Sequence, residues 1–140
     1  APGRGGVAVL SPDVSLIDDT YNANPVAVRA AIDVLASESG RRRLVLGAML
    51  ELGLDEEKLH AELGAYAREA GLDELWAVGS EAAPAAVAFG EGALCFTDTS
   101  ELITYAPTLR GANTTLVKAS RGAQLEVAVN HWLAGGEGIC

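Results

Sequence analysis

The segment Leu44-Val45-Leu46-Gly47-Ala48-Met49-Leu50-Glu51-Leu52-Gly53-Leu54-Asp55-Glu56-Glu57-Lys58-Leu59 decides the architecture. An apolar run too short for a helix gives way at Gly47 to a loop. Asp55 then stands where a helix N-cap accepts a hydrogen bond from free backbone N–H groups. Glu56 and Glu57 suit the positive end of a helix dipole, and Leu54 is placed to staple against Leu59. Leu59, Leu63, Tyr66 and Ala70 continue one apolar face until Gly71. The unit reads strand, loop, capped helix, and it recurs. Apolar runs at Leu75 to Val78, Ala93 to Phe96 and Thr115 to Val117 are each followed by a segment of helical periodicity. Short buried strands separated by helices predict a parallel sheet covered on both faces.

Upstream, Val7 to Leu10 and Ser15 to Ile17 flank a turn at Pro12-Asp13 and predict an N-terminal hairpin. Asn24 and Pro25 form a helix start, cap followed by the imino acid at the first helical position, with Val28, Ala31, Ile32 and Leu35 as the buried stripe and Gly40 as the stop. Asp98 and Glu101 have capping-box spacing ahead of Leu102, Ile103 and Ala106. Pro84 and Gly90 interrupt an alanine-rich stretch beginning near Ser80, which predicts a short or irregular helix. The last helix presents Leu125, Val129, Trp132 and Leu133. Together these predict an α/β fold: a mostly parallel sheet of about six strands, helices on both faces and an N-terminal hairpin strand. One domain spans residues 1–140, with its core from Gly3 to Leu133 and residues 134–140 as a frayed tail.

Composition narrows the function. The chain has 140 residues and a formal net charge of -9, so it lacks the basic surface that neutralises nucleic-acid phosphates, and neither nucleic acid nor membrane is expected as a partner. The run Arg41-Arg42-Arg43 reads as a solvated loop entering a strand. Two cysteines, Cys95 and Cys140, supply neither a disulfide framework nor a zinc site, which fits a reducing cytoplasm. The only methionine is the internal Met49, so the chain reads as a piece of a longer polypeptide.

In open α/β sheets ligands bind beyond the carboxyl ends of the strands, so the residues after each strand carry the chemistry. After the first parallel strand comes Asp18-Asp19-Thr20-Tyr21-Asn22-Ala23-Asn24-Pro25, which offers amides, a phenol and free N–H groups to a nucleotide, or equally a well-capped turn. After the second, Glu51 sits between Gly47 and Gly53. After the last, Lys118-Ala119-Ser120-Arg121-Gly122 brings a cation, a hydroxyl and a guanidinium suited to a carboxylate or phosphate, or to an exposed basic loop. His60 and His131 fall within helices and read as surface or packing residues, and no metal site is expected. No phosphate-loop motif occurs, so the chain is not a self-sufficient P-loop ATPase.

Taken together, the segments Asp18 to Pro25, Leu46 to Gly53 with His60 following, and Val117 to Arg121 resemble the C-terminal, Rossmann-like domain of the Mur ligases. The branch resembled is the one that joins D-Ala-D-Ala to UDP-MurNAc-tripeptide in peptidoglycan synthesis, and the resemblance runs from about Gly3 to Leu133. It implies an ATP-dependent peptide ligase whose N-terminal and central domains lie outside this chain, with ATP and Mg²⁺ held mainly by the central domain. The implied reaction passes through an acyl phosphate of the tripeptide, attacked by the dipeptide amine. By resemblance Tyr21, Asn22 and Asn24 contact nucleotide, whereas Lys118, Ser120, Arg121 and Glu51 serve substrate binding and closure. No catalytic residue is expected in this domain alone, which is inactive in isolation. The sequence departs from the family at Ala48, where an aspartate is usual, and at Ala119, where a glycine is usual. Two other readings remain: a folylpolyglutamate or cyanophycin synthetase-like amide ligase, and a degenerate receiver-like signalling domain. The first would lack the longer Asn-rich loop. The second is suggested by Asp18, Asp19, Thr97 and Lys118, but an acceptor aspartate is missing after Val78.

Overall fold

The computed structural model describes residues 6–20, 23–120 and 124–135. Strands β1 (Gly6–Ser11) and β2 (Val14–Asp19) pair antiparallel about the Pro12-Asp13 turn. Helix and strand then alternate through α1 (Pro25–Ala36), β3 (Arg42–Gly47), α2 (Glu56–Glu69), β4 (Glu74–Val78), α3 (Ala83–Phe89), β5 (Ala93–Phe96), α4 (Thr99–Tyr105), β6 (Thr114–Lys118) and α5 (Leu125–Leu133). They form one six-stranded sheet in the order β1-β2-β6-β3-β4-β5. Only the β1–β2 pair is antiparallel, so the sheet is mixed.

Side chains alternate across the sheet, and the core is accordingly double. Ile17, Leu44, Leu46, Leu75 and Leu116 meet α1, α2 and α3 on one face, whereas Leu16, Val45, Trp76, Phe96 and Val117 meet α4 and α5 on the other. The strand order also separates this fold from a receiver. A receiver sheet runs 2-1-3-4-5 with its last strand at an edge, but here β6 lies inside, between β2 and β3.

The helix starts follow their sequence signals with one exception. Asn24 Oδ1 accepts from the Ala27 N–H at 2.9 Å, and Asp98 Oδ1 accepts from the Glu101 N–H at 2.9 Å. The Glu101 carboxylate reaches back to the Thr97 N–H, one residue before the cap, at 2.6 Å and fixes the turn into α4. At α2 the expectation needs correcting. A single 3₁₀ turn, Gly53–Asp55, precedes the helix, so Asp55 makes no side-chain cap bond and Leu54 stands in solvent rather than stapling Leu59. The α2 face that is buried is His60, Leu63, Gly64 and Ala67.

The arginine run is the second correction, because it is a clamp and not a solvated loop. Parallel pairing sets Arg43 beside Glu74, and both Arg43 Nε (3.0 Å) and Arg41 Nε (2.8 Å) bond the Glu74 carboxylate. Arg43 is 3% exposed, lies 4.0 Å over the Trp76 ring and donates to the Arg110 carbonyl at 2.6 Å. Arg42 holds Asp73 and the carbonyls of Ala36 and Gly71. Burial opposes the charge on Asp73, but hydrogen bonds from the Arg42 main chain and side chain, with the charges of Arg42 and Arg41, keep its carboxyl below the usual range. These contacts lie at the amino ends of β3 and β4, opposite the edge where ligands are expected.

Gly64 sets the closest helix contact. A Cβ there would overlap the Ala85 carbonyl oxygen of α3, with the Ala85 carbonyl carbon at 2.7 Å. Both neighbours are backbone and cannot swing aside, so α2 and α3 must separate to admit a methyl group. Gly64→Ala is expected to lower unfolding stability by about 1–3 kcal/mol in urea titrations, despite the better helix propensity of alanine. Unchanged or increased stability would show that the two helices are not in this contact.

Candidate functional site

The carboxyl ends of β2, β6 and β3 are aligned by parallel pairing, with Asp19 beside Lys118 and Lys118 beside Leu46. Helices α1 and α2, which follow β2 and β3, lie on one face, whereas α5, which follows β6, lies on the other. The loops therefore part at β6 and leave a crevice, the place where open α/β sheets bind ligands. The loops after Asp19, Gly47 and Lys118 thus share one edge, as the strand alternation predicts.

Lys118 is 5% exposed and its Nζ lies 3.0 Å from Asp19 Oδ2. This pair ties the first parallel strand to the last and brings a cation to the floor of the crevice. Thr20 turns its hydroxyl back to Asp18 Oδ1 at 2.8 Å, which shapes the exit from β2. Asn24 is exposed, with Oδ1 committed to the α1 cap and its amide nitrogen left as a donor. Ser120 is buried and donates its hydroxyl proton to the Ala48 carbonyl at 3.0 Å. Glu51 is exposed and has φ +60, a left-handed conformation uncommon outside glycine, and Gln124 has φ +59 at the cap of α5. Tyr21, Asn22 and Arg121 lie outside the described residues. Of the seven candidate residues, the structure thus places Lys118, at the end of β6, and Ser120, Asn24 and Glu51, on the segments that follow the strands, at one edge of the sheet.

The two departures also have places. Ala119 is fully buried in the α4–α5 core and is not among the residues with positive φ, so its methyl group meets no backbone penalty. Ala48 lines a cavity of about 420 Å³ with Leu50, Gly79, Thr97, Asp98 and Gln124. This volume lies in the range of small-ligand pockets. A larger cavity of about 490 Å³ is walled by Arg43, Glu74, Trp76, Tyr105, Pro107 and Arg110. It opens at the amino ends of the strands, where its buried arginine is already engaged, so the smaller one is the better candidate. The sequence reading missed Thr97, Asp98 and Gln124 as cavity walls, although the Asp98 cap signal marks the turn that carries the first two. It also placed His60 too loosely. The ring is wholly buried, accepts from the Met49 N–H at 3.0 Å and lies 2.8 Å from the Glu56 carbonyl.

Among the described residues no group of three His, Cys, Asp or Glu side chains could hold a metal ion, and no helix is long and apolar enough to cross a membrane.

A family model described as Mur ligase, glutamate ligase domain, matches residues 4–121. The UDP-N-acetylmuramoyl-tripeptide–D-alanyl-D-alanine ligase of Escherichia coli (strain K12) is 40% identical over 131 residues, which is 91% of this chain and 29% of that protein. Its namesake from Bacillus subtilis (strain 168) is 36% identical over 128 residues, 83% of this chain and 27% of that protein. The crystal structure of MurF ligase from Thermotoga maritima in complex with ADP superposes with a TM-score of 0.78 at 29% identity, covering 94% of this chain and 30% of that one. The chain therefore spans about three-tenths of the length of these relatives.

Removing one partner of a buried ion pair leaves a desolvated charge, a cost that removal of both partners avoids. Lys118→Ala is expected to destabilise the chain by about 2–3 kcal/mol, below the figure for a wholly enclosed pair because Asp19 keeps some solvent contact. Lys118→Met combined with Asp19→Asn should recover part of that loss in the same urea titration. A double variant no more stable than Lys118→Ala would show that the pair is not coupled.

Proposed function

The chain belongs to the Mur ligase family, matching its glutamate ligase domain, and from that premise we propose that it is the C-terminal domain of an ATP-dependent, ADP-forming peptide ligase. The reaction proposed is addition of D-alanyl-D-alanine to UDP-N-acetylmuramoyl-tripeptide, the ligation for which the relatives are named, and its proposed setting is peptidoglycan synthesis in the cytoplasm. The observation that supports this reading is the alignment of the carboxyl ends of β2, β6 and β3, where Lys118 pairs with Asp19 and Ser120 bonds Ala48 on one edge of the sheet. Relatives about three times as long support the further proposal that N-terminal and central domains complete the enzyme.

One wall of an ATP site is assigned to this chain, and not the whole of it. Asn24, together with Tyr21 and Asn22, is assigned to the nucleotide, with the free amide of Asn24 as a donor. Among the described residues no cluster of ligating side chains would hold a Mg²⁺ ion. The ion is assigned to the central domain. When bound, ATP supplies the phosphoryl group that activates the tripeptide carboxylate. The residues of this chain contribute position and electrostatics. Lys118, held by Asp19, keeps positive charge near the crevice floor, and Arg121 is assigned to the carboxylate of the incoming dipeptide. Glu51 is assigned to the rim that would meet the opposing domains. Closure of that rim excludes water, which protects an activated carboxylate from hydrolysis.

The chain alone is expected to bind ATP weakly and to release no phosphate, because no phosphate cradle is present to neutralise developing charge. Calorimetry with ATP and Mg²⁺ alongside a phosphate-release assay tests this, followed by addition of the N-terminal and central domains as a separate chain. Ligation only on mixing supports the proposal, whereas submillimolar ATP affinity or turnover by this chain alone refutes it.

In the complete enzyme, Asn22→Ala is expected to raise the KM for ATP by about fivefold and leave that for dipeptide unchanged, as for loss of one neutral hydrogen bond. Arg121→Ala should do the reverse, by about tenfold or more, as for a charged one. Steady-state kinetics with each substrate varied in turn checks the assignment. Equal effects of either variant on both substrates would contradict it.

A further inference from the structure

One peptide group in the loop between β3 and α2 is held at both ends. The Ala48 carbonyl accepts the Ser120 hydroxyl at 3.0 Å, and the Met49 N–H, on the other side of the same planar amide, donates to His60 Nε2 at 3.0 Å. These anchors come from different elements, the β6 exit and the first turn and a half of α2. A rotation of the amide plane that preserves one of them breaks the other. His60 is itself fixed. Its Nδ1 lies 2.8 Å from the Glu56 carbonyl oxygen, which can only accept, so the ring proton sits on Nδ1 and the Nε2 lone pair is left for Met49. The ring has no exposed surface and Ser120 is 5% exposed, and both polar groups are turned to the loop backbone. Two residues beyond the held amide, Glu51 adopts φ +60, a conformation that persists when its surroundings determine it. Ala48 and Leu50, on either side of Met49, wall the 420 Å³ cavity.

We propose that His60 and Ser120 are positioning residues that lock the Ala48–Met49 peptide between them and so fix the loop from Ala48 to Glu51 as a wall of the crevice. The lock itself stands on the geometry, while its effect on turnover rests on the ligase reading. An ordinary buried histidine would stabilise the helix only. A shared lock makes a different demand: loss of either anchor frees the same amide, so the second loss adds little.

Nitrogen-15 NMR on this chain tests the lock without any assay of activity. The expected result is a His60 ring protonated at Nδ1, with a scalar coupling across the hydrogen bond between Met49 N and His60 Nε2. A ring protonated at Nε2, or no such coupling, overturns the proposal. In the complete ligase, His60→Leu and Ser120→Ala are each expected to lower kcat about five- to tenfold with the KM for ATP unchanged. The double variant should be no slower than the slower single one, and His60→Gln, which restores an acceptor, should recover part of the loss. Single effects that multiply in the double variant overturn it. Should His60→Leu fail to fold, Ser120→Ala is read by Met49 amide exchange: faster exchange supports the lock, and unchanged exchange overturns it. A complete polypeptide that ligates nothing refutes the ligase reading while the NMR result still decides the lock.

Discussion

The insertion of β6 between β2 and β3 is the constraint on which the rest of the molecule depends. An interior parallel strand has both rows of backbone groups paired and both faces covered, and Thr114–Lys118 is buried throughout. Because β6 leads to a helix on one face while its two neighbours lead to helices on the other, the chain parts there and opens a crevice at the carboxyl edge. The ion pair between Lys118 and Asp19 and the bond from Ser120 to Ala48 are the side-chain expression of this backbone arrangement, each joining β6 to one neighbour.

Stability and the candidate site occupy opposite ends of the strands. At the amino ends, Arg41, Arg42 and Arg43 converge on Asp73 and Glu74, and the guanidinium of Arg43 is closed in by Trp76 and the Arg110 carbonyl. At the carboxyl ends, two non-glycine residues keep left-handed backbone conformations, and polar side chains lie beside a cavity. Such conformations cost about 1–2 kcal/mol each and tend to gather where a site must be shaped. The tightly cross-linked end can bear the cost of the other.

Much of this was legible in the sequence because it depends on neighbours along the chain. Apolar runs of three or four residues, with helical periodicity after each, placed the strands within one or two residues. Asn24-Pro25 and Asp98 with Glu101 marked helix starts through contacts that span only a few positions. What depends on register between distant strands was not legible. The sequence has no local mark that sets Arg43 against Glu74, and without that pairing three consecutive arginines look like a solvated loop. His60 was unreadable for a related reason. Its value lies in an amide eleven positions earlier, and only the turn through Leu50 and Glu51 brings the two together. Leu54 shows the opposite error, since a correct local rule was displaced by the 3₁₀ turn ahead of α2.

The interior place of β6 has a consequence for how the chain reaches its fold. During synthesis β2 and β3 emerge early, yet each lacks its inner partner until the sixth strand has been made. Until then the two strands present unpaired edges across a gap one strand wide, and the apolar faces on either side of it are only half built. Contacts that close the sheet join residues about a hundred positions apart, as from Asp19 to Lys118. Long loops must be ordered before those contacts form, which slows folding and makes it cooperative. A ribosome stalled before Thr114 would therefore hold a nascent chain with two sticky edges, a natural substrate for chaperones and proteases.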